Sequence, residues 1–197
     1  MFNIRNNPNW FVGIPVPADG WFEEIVTGFP AGFRRCCADD LHITIAFFGS
    51  AGERNALSGW AALRFPLPPL TVRLGSAIAM GPKTRYSALS IELIRTPSAE
   101  ELERTIGLHR DVACSAAGAV LDRRPPKPHV TIALPTRHAN DDDLIAGVRW
   151  ASALDFQRRE VPLDTIALYT RAKDPRLRRF TIVAQSKLPQ AVTKPYA

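Results

Sequence analysis

Cysteine is scarce. The chain carries three, Cys36, Cys37 and Cys114, and an odd number with two adjacent does not make a disulfide framework. There is no CxxC pair, and no cysteine–histidine spacing suits a zinc site. Cys36 and Cys37 read as buried or idle thiols, with nothing to single them out as nucleophiles. No apolar run approaches the roughly 18 residues that span a bilayer. The opening MFNIRNNPNWFVGIPVP is too polar, and its apolar run too short, for a signal peptide. A reduced, cytoplasmic setting is expected, without a membrane partner.

A soluble globular composition is present instead, with 46% hydrophobic and 22% charged residues over 197 positions. That length fits one domain, or two small lobes sharing a core. The net charge of +6 and a pI near 9.6 favour a polyanionic partner, nucleic acid first, with solubilising surface charge as the plain alternative.

Two short segments stand out. Leu41-His42-Ile43-Thr44-Ile45 recurs as Pro128-His129-Val130-Thr131-Ile132. Apolar residues at every second place read as strand. Alternate side chains of a strand share a face, so His42 and Thr44 project together, as do His129 and Thr131. The intervening residues form a β-branched face that can bury. The same count puts Ala46, Phe48 and Ala133 on the histidine faces, the alanines leaving room for a ligand. If the two strands are neighbours, two imidazoles and two hydroxyls converge on one cleft suited to a phosphate. Hydrolysing a phosphodiester needs a base for water and an acid for the leaving oxygen. Imidazole does both near neutrality, each transfer contributing about 10²–10⁴-fold. Threonine hydroxyls can donate to the non-bridging oxygens. Nothing in this arrangement calls for a metal.

Around these segments the pattern predicts strands at Trp10–Val16, Arg34–Cys37, Leu41–Phe48, Leu70–Met80, Tyr86–Ile94, Val161–Tyr169 and Phe180–Gln185. It predicts helices over Asp19–Thr27, Glu53–Leu63, from a Ser98 N-cap with Glu101 in a capping box to Ala117, and from the Asp141-Asp142-Asp143 run to Trp150. A turn is expected at Gly81-Pro82-Lys83-Thr84. A helix pattern follows each motif strand, as in an internal duplication. The whole of 1–197 is expected to form a single body of two pseudo-symmetric lobes, with a loose tail after about 189.

The chain resembles a known family, the two-histidine phosphoesterases, specifically the RNA 2′,3′-cyclic phosphodiesterases also called 2′-5′ RNA ligases. Ala38-Asp39-Asp40-Leu41-His42-Ile43-Thr44-Ile45-Ala46-Phe47-Phe48-Gly49 is similar to the family's NLHLTLAFLG segment. Arg124-Pro125-Pro126-Lys127-Pro128-His129-Val130-Thr131-Ile132 is similar to its RPFxPHITL segment. Trp10–Pro17 resembles the family's opening strand. Ile166-Ala167-Leu168-Tyr169, a basic loop and Arg179-Phe180-Thr181 resemble its closing hairpin. The resemblance implies an α+β, two-lobed fold of pseudo-twofold antiparallel sheets with outer helices around a central groove. It implies His42 as general acid and His129 as general base in opening a 2′,3′-cyclic phosphate to a 2′-phosphate, the assignment depending on the bond cleaved. Thr44 and Thr131 would bind the phosphate, and no cofactor is implied. Many members carry an Arg five residues after the second His, where this chain has Leu134. Arg137, Arg171 or Arg179 could supply that cation.

Phe11 and Phe48 are candidates for stacking on a base, against ordinary core packing. Tyr169 is equally placed for ligand contact or packing. Arg171, Lys173, Arg176, Arg178 and Arg179 fit a phosphate backbone or a solvated loop. His109 and His138 lie outside the motif. The expected molecule is a monomer without an obligate protein partner, acting on RNA ends or cyclic nucleotides, with 2′-5′ ligation as the reverse reaction. The alternatives are a non-catalytic nucleotide- or RNA-binding module, and a phosphodiesterase of 2′-5′ oligoadenylates or RNA 3′ ends.

Overall fold

The alternation around both histidines is realised as β3 (His42–Gly49) and β6 (His129–Pro135). They are antiparallel neighbours, paired at Ile43 and Val130. The computed structural model describes residues 9–25, 27–82, 85–156, 158–174 and 178–190. Beyond β3 lie β1 (Trp10–Pro15), β8 (Thr165–Arg171) and β9 (Phe180–Lys187). Beyond β6 lie β5 (Ala88–Leu93), β4 (Leu70–Met80) and β7 (Glu160–Leu163). The strand order β7-β4-β5-β6-β3-β1-β8-β9 is thus balanced about the β3–β6 pair, and β2 (Phe33–Arg35) adds to β6. The sheet curls around a groove. Its other face packs on α2 (Glu53–Ala62), α3 (Pro97–Ala116) and α4 (Asp141–Ala153). Ile14, Ile43, Val130 and Ile132 are fully buried on that side.

Several elements differ from the sequence reading. The helix expected over Asp19–Thr27 is a single turn, α1 (Trp21–Glu24). Asp19 and Gly20 both have positive φ and no side chain caps the turn, so it is not nucleated for growth. The N-cap of α3 is Thr96, whose hydroxyl accepts from the Ala99 N–H, with Pro97 in the first turn. Proline there needs no N–H partner, which moves the start two residues ahead of Ser98. Asn140, not the aspartate run, caps α4, in a reciprocal capping box with Asp143. Tyr86 peels away from β5 because its hydroxyl donates to the Leu144 carbonyl. The stretch Val161–Tyr169 breaks at Asp164 into two strands that serve different lobes, β7 pairing with β4 and β8 with β1. Lys83 and Thr84 of the expected turn, Arg176 of the basic loop and the tail from residue 191 lie outside the described residues. No described helix is long and apolar enough to cross a membrane.

Candidate functional site

A repeated irregularity builds the groove. Along β3 the partners in β1 run Gly13↔Thr44 and Val12↔Ala46, so Ile45 is an extra residue. Along β6 the partners in β5 run Ser90↔Thr131 and Leu89↔Ala133, so Ile132 is an extra residue. Each bulge sits three residues after its histidine. A bulge shifts the alternation by one, so every later side chain changes face. Ala46 and Ala133 therefore turn into the core instead of the groove, and both are buried. Phe48 turns with them and packs towards α2, close to Gly59. That corrects its expected place on the His42 face. The groove face goes instead to Phe47, 55% exposed, and to Leu134, each five residues after its histidine.

His42 and His129 are held alike. The Nδ1 of His42 lies 2.6 Å from the Asp40 carbonyl, and that of His129 lies 2.6 Å from the Lys127 carbonyl. A carbonyl only accepts, so Nδ1 carries the proton and Nε2 of the neutral ring is left with a free lone pair. With Ile43 and Val130 paired between antiparallel strands, His42 and Thr44 flank one side of the crossing and Thr131 and His129 the other. The four sequence-predicted residues are thus brought to one groove. Thr131 Oγ1 is 3.1 Å from the buried Ser90 hydroxyl, which fixes its rotamer.

The His42 ring sits in an aromatic cage. Its centroid is 4.5 Å from Phe11, 5.4 Å from Tyr169 and 5.5 Å from Phe180. Phe11 in turn stacks on Tyr169 at 4.8 Å. The ring also lies beside Gly13, where an added Cβ would come within 3.4 Å of His42 Cδ2 and 3.0 Å of the Ile43 carbonyl. Only glycine leaves that space. The buried Asp40 carboxylate accepts from the backbone N–H of Arg179 at 2.7 Å and of Phe180 at 2.9 Å. It thereby pins the start of β9, and Phe180 with it, against the start of β3. Burial pushes the His42 pKa down to about 4, opposed by the hydrogen bond to the Asp40 carbonyl and the Asp40 charge, and aided by His129 and Arg179. In the free groove His42 is neutral at pH 7.

The other predicted residues fall differently. Phe11 is 2% exposed, with His42 and Tyr169 over its ring and Phe180 at its edge, so no face is open to a base. It is a wall under His42. Tyr169 is buried too, and its hydroxyl has no partner among the described residues. Arg171 pairs with Phe180 in the β8–β9 register and shares the groove face with Tyr169. Arg137 lies past the end of β6, its Nε donating to His138 Nε2 at 2.8 Å. His109 packs against Phe65. Burial pushes the Cys36 thiol up to about 12, so it is no thiolate at neutral pH. Among the described residues no three His, Cys, Asp or Glu side chains gather as metal ligands. Beside the cage a cavity of ≈ 460 Å³ is lined by Pro15, Asp39, Tyr169, Phe180, Ile182 and Gln185 among others.

Sequence reasoning missed Phe47, Asp40, Gly13, Ser90 and Phe180. The bulge hides Phe47, since simple alternation excludes it. Asp40 and Gly13 lie within segments that resemble the family, so they were within reach. Ser90 carries no signal of its own.

Comparison with known proteins agrees with this geometry. The 2′-5′ RNA ligase superfamily matches residues 16–175. An RNA 2′,3′-cyclic phosphodiesterase of Bacillus subtilis is 25% identical over 140 residues, 68% of this chain and 73% of that protein. Escherichia coli LigT, in its structure with NADP+, superposes with a TM-score of 0.63 at 22% identity, covering 94% of this chain and 99% of that one. The Thermus thermophilus protein TT0787 gives a TM-score of 0.62 at 18% identity, covering 93% of this chain and 99% of that one. The chain belongs to the 2′-5′ RNA ligase superfamily, the two-histidine phosphoesterases.

Proposed function

We propose that the protein hydrolyses 2′,3′-cyclic phosphates of RNA ends or nucleotides to 2′-phosphates. The observation that carries this reading is the pair of imidazoles held alike by a carbonyl two residues back, each leaving Nε2 free, on paired strands whose alternation puts Thr44 and Thr131 on the same face. The B. subtilis relative supports it. In the reaction, water attacks phosphorus and gives its proton to one imidazole. The P–O3′ bond breaks, and the departing O3′ takes the proton of the other imidazole. The water oxygen stays on phosphorus, so the product is a 2′-phosphate and the pair has moved one proton across the site. With the 5′-hydroxyl of a second RNA in the place of water, the same step forms a P–O5′ bond, breaks the P–O3′ bond and gives the 2′-5′ linkage of the ligation. Thr44 and Thr131 donate to the non-bridging oxygens as charge grows on them.

His42 is the acid and His129 the base in this account. Burial keeps His42 neutral in the free groove, so its proton arrives with the substrate, whose anionic phosphate favours imidazolium. Phe47, exposed on the groove face, offers a base a stacking surface. RNA is the natural polyanion for a +6 chain.

Leu134 is the observation that favours the rival reading, a nucleotide-binding module without turnover. Incubation with 2′,3′-cyclic AMP in EDTA, with 2′- and 3′-phosphate resolved by chromatography, separates the two. Release of 2′-AMP is expected. A folded protein that binds nucleoside 2′-phosphate yet releases no product would be the module.

A further inference from the structure

Two imidazoles and two hydroxyls carry no fixed positive charge, yet phosphodiester hydrolysis builds negative charge on the non-bridging oxygens. Besides Arg171, the strand register puts a second guanidinium on the groove face, at the end of β6 where Leu134 stands. Beyond the Ile132 bulge, Leu134 is the next groove-facing residue of β6. Its Cα partner is Arg34 of β2, and directly opposed side chains of a ladder share a face. The neighbours of Arg34 agree. Phe33 is buried in the core, and Arg35 turns to the same side, its guanidinium 4.2 Å from the Phe22 ring centroid. Arg34, between them, is exposed.

Arg34 also lies at the His42 end of the groove. Its charge acts on Arg179 and on Cys36, which in turn feel Asp40. The Arg179 guanidinium is 5.4 Å from the Phe180 ring of the cage. Among the described residues no carboxylate forms an ion pair with Arg34. A cation held near another cation gains from an anion placed beside both.

We propose that Arg34 is the cation that meets the reacting phosphate from the His42 side, contributed by a strand that neither histidine motif contains. This rests on the phosphodiesterase reading and assigns that site's missing charge. Arg34 contacts the phosphate oxygens and transfers no proton.

The test uses the full chain with Arg34→Ala, Arg34→Lys, and Arg34→Ala combined with Leu134→Arg. The double variant returns a guanidinium to the same face from the partner position one strand away. Arg34 is exposed, so circular dichroism should be unchanged. On 2′,3′-cyclic AMP, Arg34→Ala is expected to lower kcat by about 10²-fold, the typical loss for one transition-state donor, with a smaller rise in KM. Arg34→Lys should keep part of the rate, and Leu134→Arg should restore it at least tenfold in the alanine background. Wild-type turnover by Arg34→Ala, or a loss that neither lysine nor Leu134→Arg repairs, overturns the proposal. If the wild type hydrolyses no cyclic phosphate, the phosphodiesterase reading fails separately. Calorimetry with 2′-AMP then decides Arg34 alone. Binding weakened at least tenfold by Arg34→Ala and recovered with Leu134→Arg supports it, and unchanged binding overturns it.

Discussion

His42 is the most closely held side chain of the proposed site. Its tautomer is set by a backbone carbonyl and its orientation by Phe11, Tyr169 and Phe180, while Gly13 gives it room. The same burial lowers its pKa from 6.5 to about 4. Between those values the unfolded chain binds the proton that the folded ring refuses. This contribution to stability is therefore present above pH 6.5 and is lost as the pH falls towards 4. Two-dimensional NMR of the imidazole resonances should show His42 titrating near 4 in the free protein and well above that with 2′-AMP bound. A bound-state value that stays near 4 would exchange the roles of the two histidines. At this scale the sequence was most legible where chemistry repeats. His42, Thr44, His129 and Thr131 were visible as a doubled pattern, and the groove gathers all four. Phe11 and Tyr169 were visible as aromatics near the site, but their burial under His42 depends on strands distant in sequence.

The bulges at Ile45 and Ile132 are the structural detail that the alternation could not carry. Period-two counting assumes an unbroken ladder, and one inserted residue reverses every assignment beyond it. That is why Phe48 and the two alanines belong to the core and Phe47 to the groove. Paired alanine substitutions test the register directly. Phe48→Ala removes a buried ring and should cost about 3–5 kcal/mol in urea unfolding. Phe47→Ala should alter stability by no more than about 0.5 kcal/mol and weaken nucleotide binding by roughly 1–3 kcal/mol through lost base stacking. The reverse pattern would place the bulge elsewhere. Helix ends were less legible for a related reason. Thr96 and Asn140 outcompete Ser98 and the aspartate run because a cap is chosen by where the backbone bends into the helix, and Pro97 fixes that bend for α3.

The whole molecule was legible as a duplication, since two motif strands with helices after them imply two similar halves. The strand order bears this out as a sheet balanced about β3 and β6. The crossing of the last strands was not legible, because β7 and β8 adjoin in sequence at Asp164 yet serve opposite lobes. We propose that the lobes unfold as one unit. Ile43 and Val130 pair across the centre, and the buried core runs through both halves, so neither lobe can open without exposing the other. Thermal unfolding followed by near- and far-ultraviolet circular dichroism should give coincident single transitions. Two separated transitions would mean independent lobes.

We propose that His42 and His129 act together as an acid–base pair, and the rate constants of three variants decide whether they do. Single-turnover hydrolysis of 2′,3′-cyclic AMP is compared for His42→Ala, His129→Ala and the double variant, with the fold verified by circular dichroism. Each single substitution should lower the rate by at least about 10²-fold. The double variant should lose little more than the worse single one, as residues that act as a unit do. Folded single variants that keep wild-type rates would mean that the two imidazoles do not carry the reaction, and losses that simply multiply in the double variant would mean that they act independently.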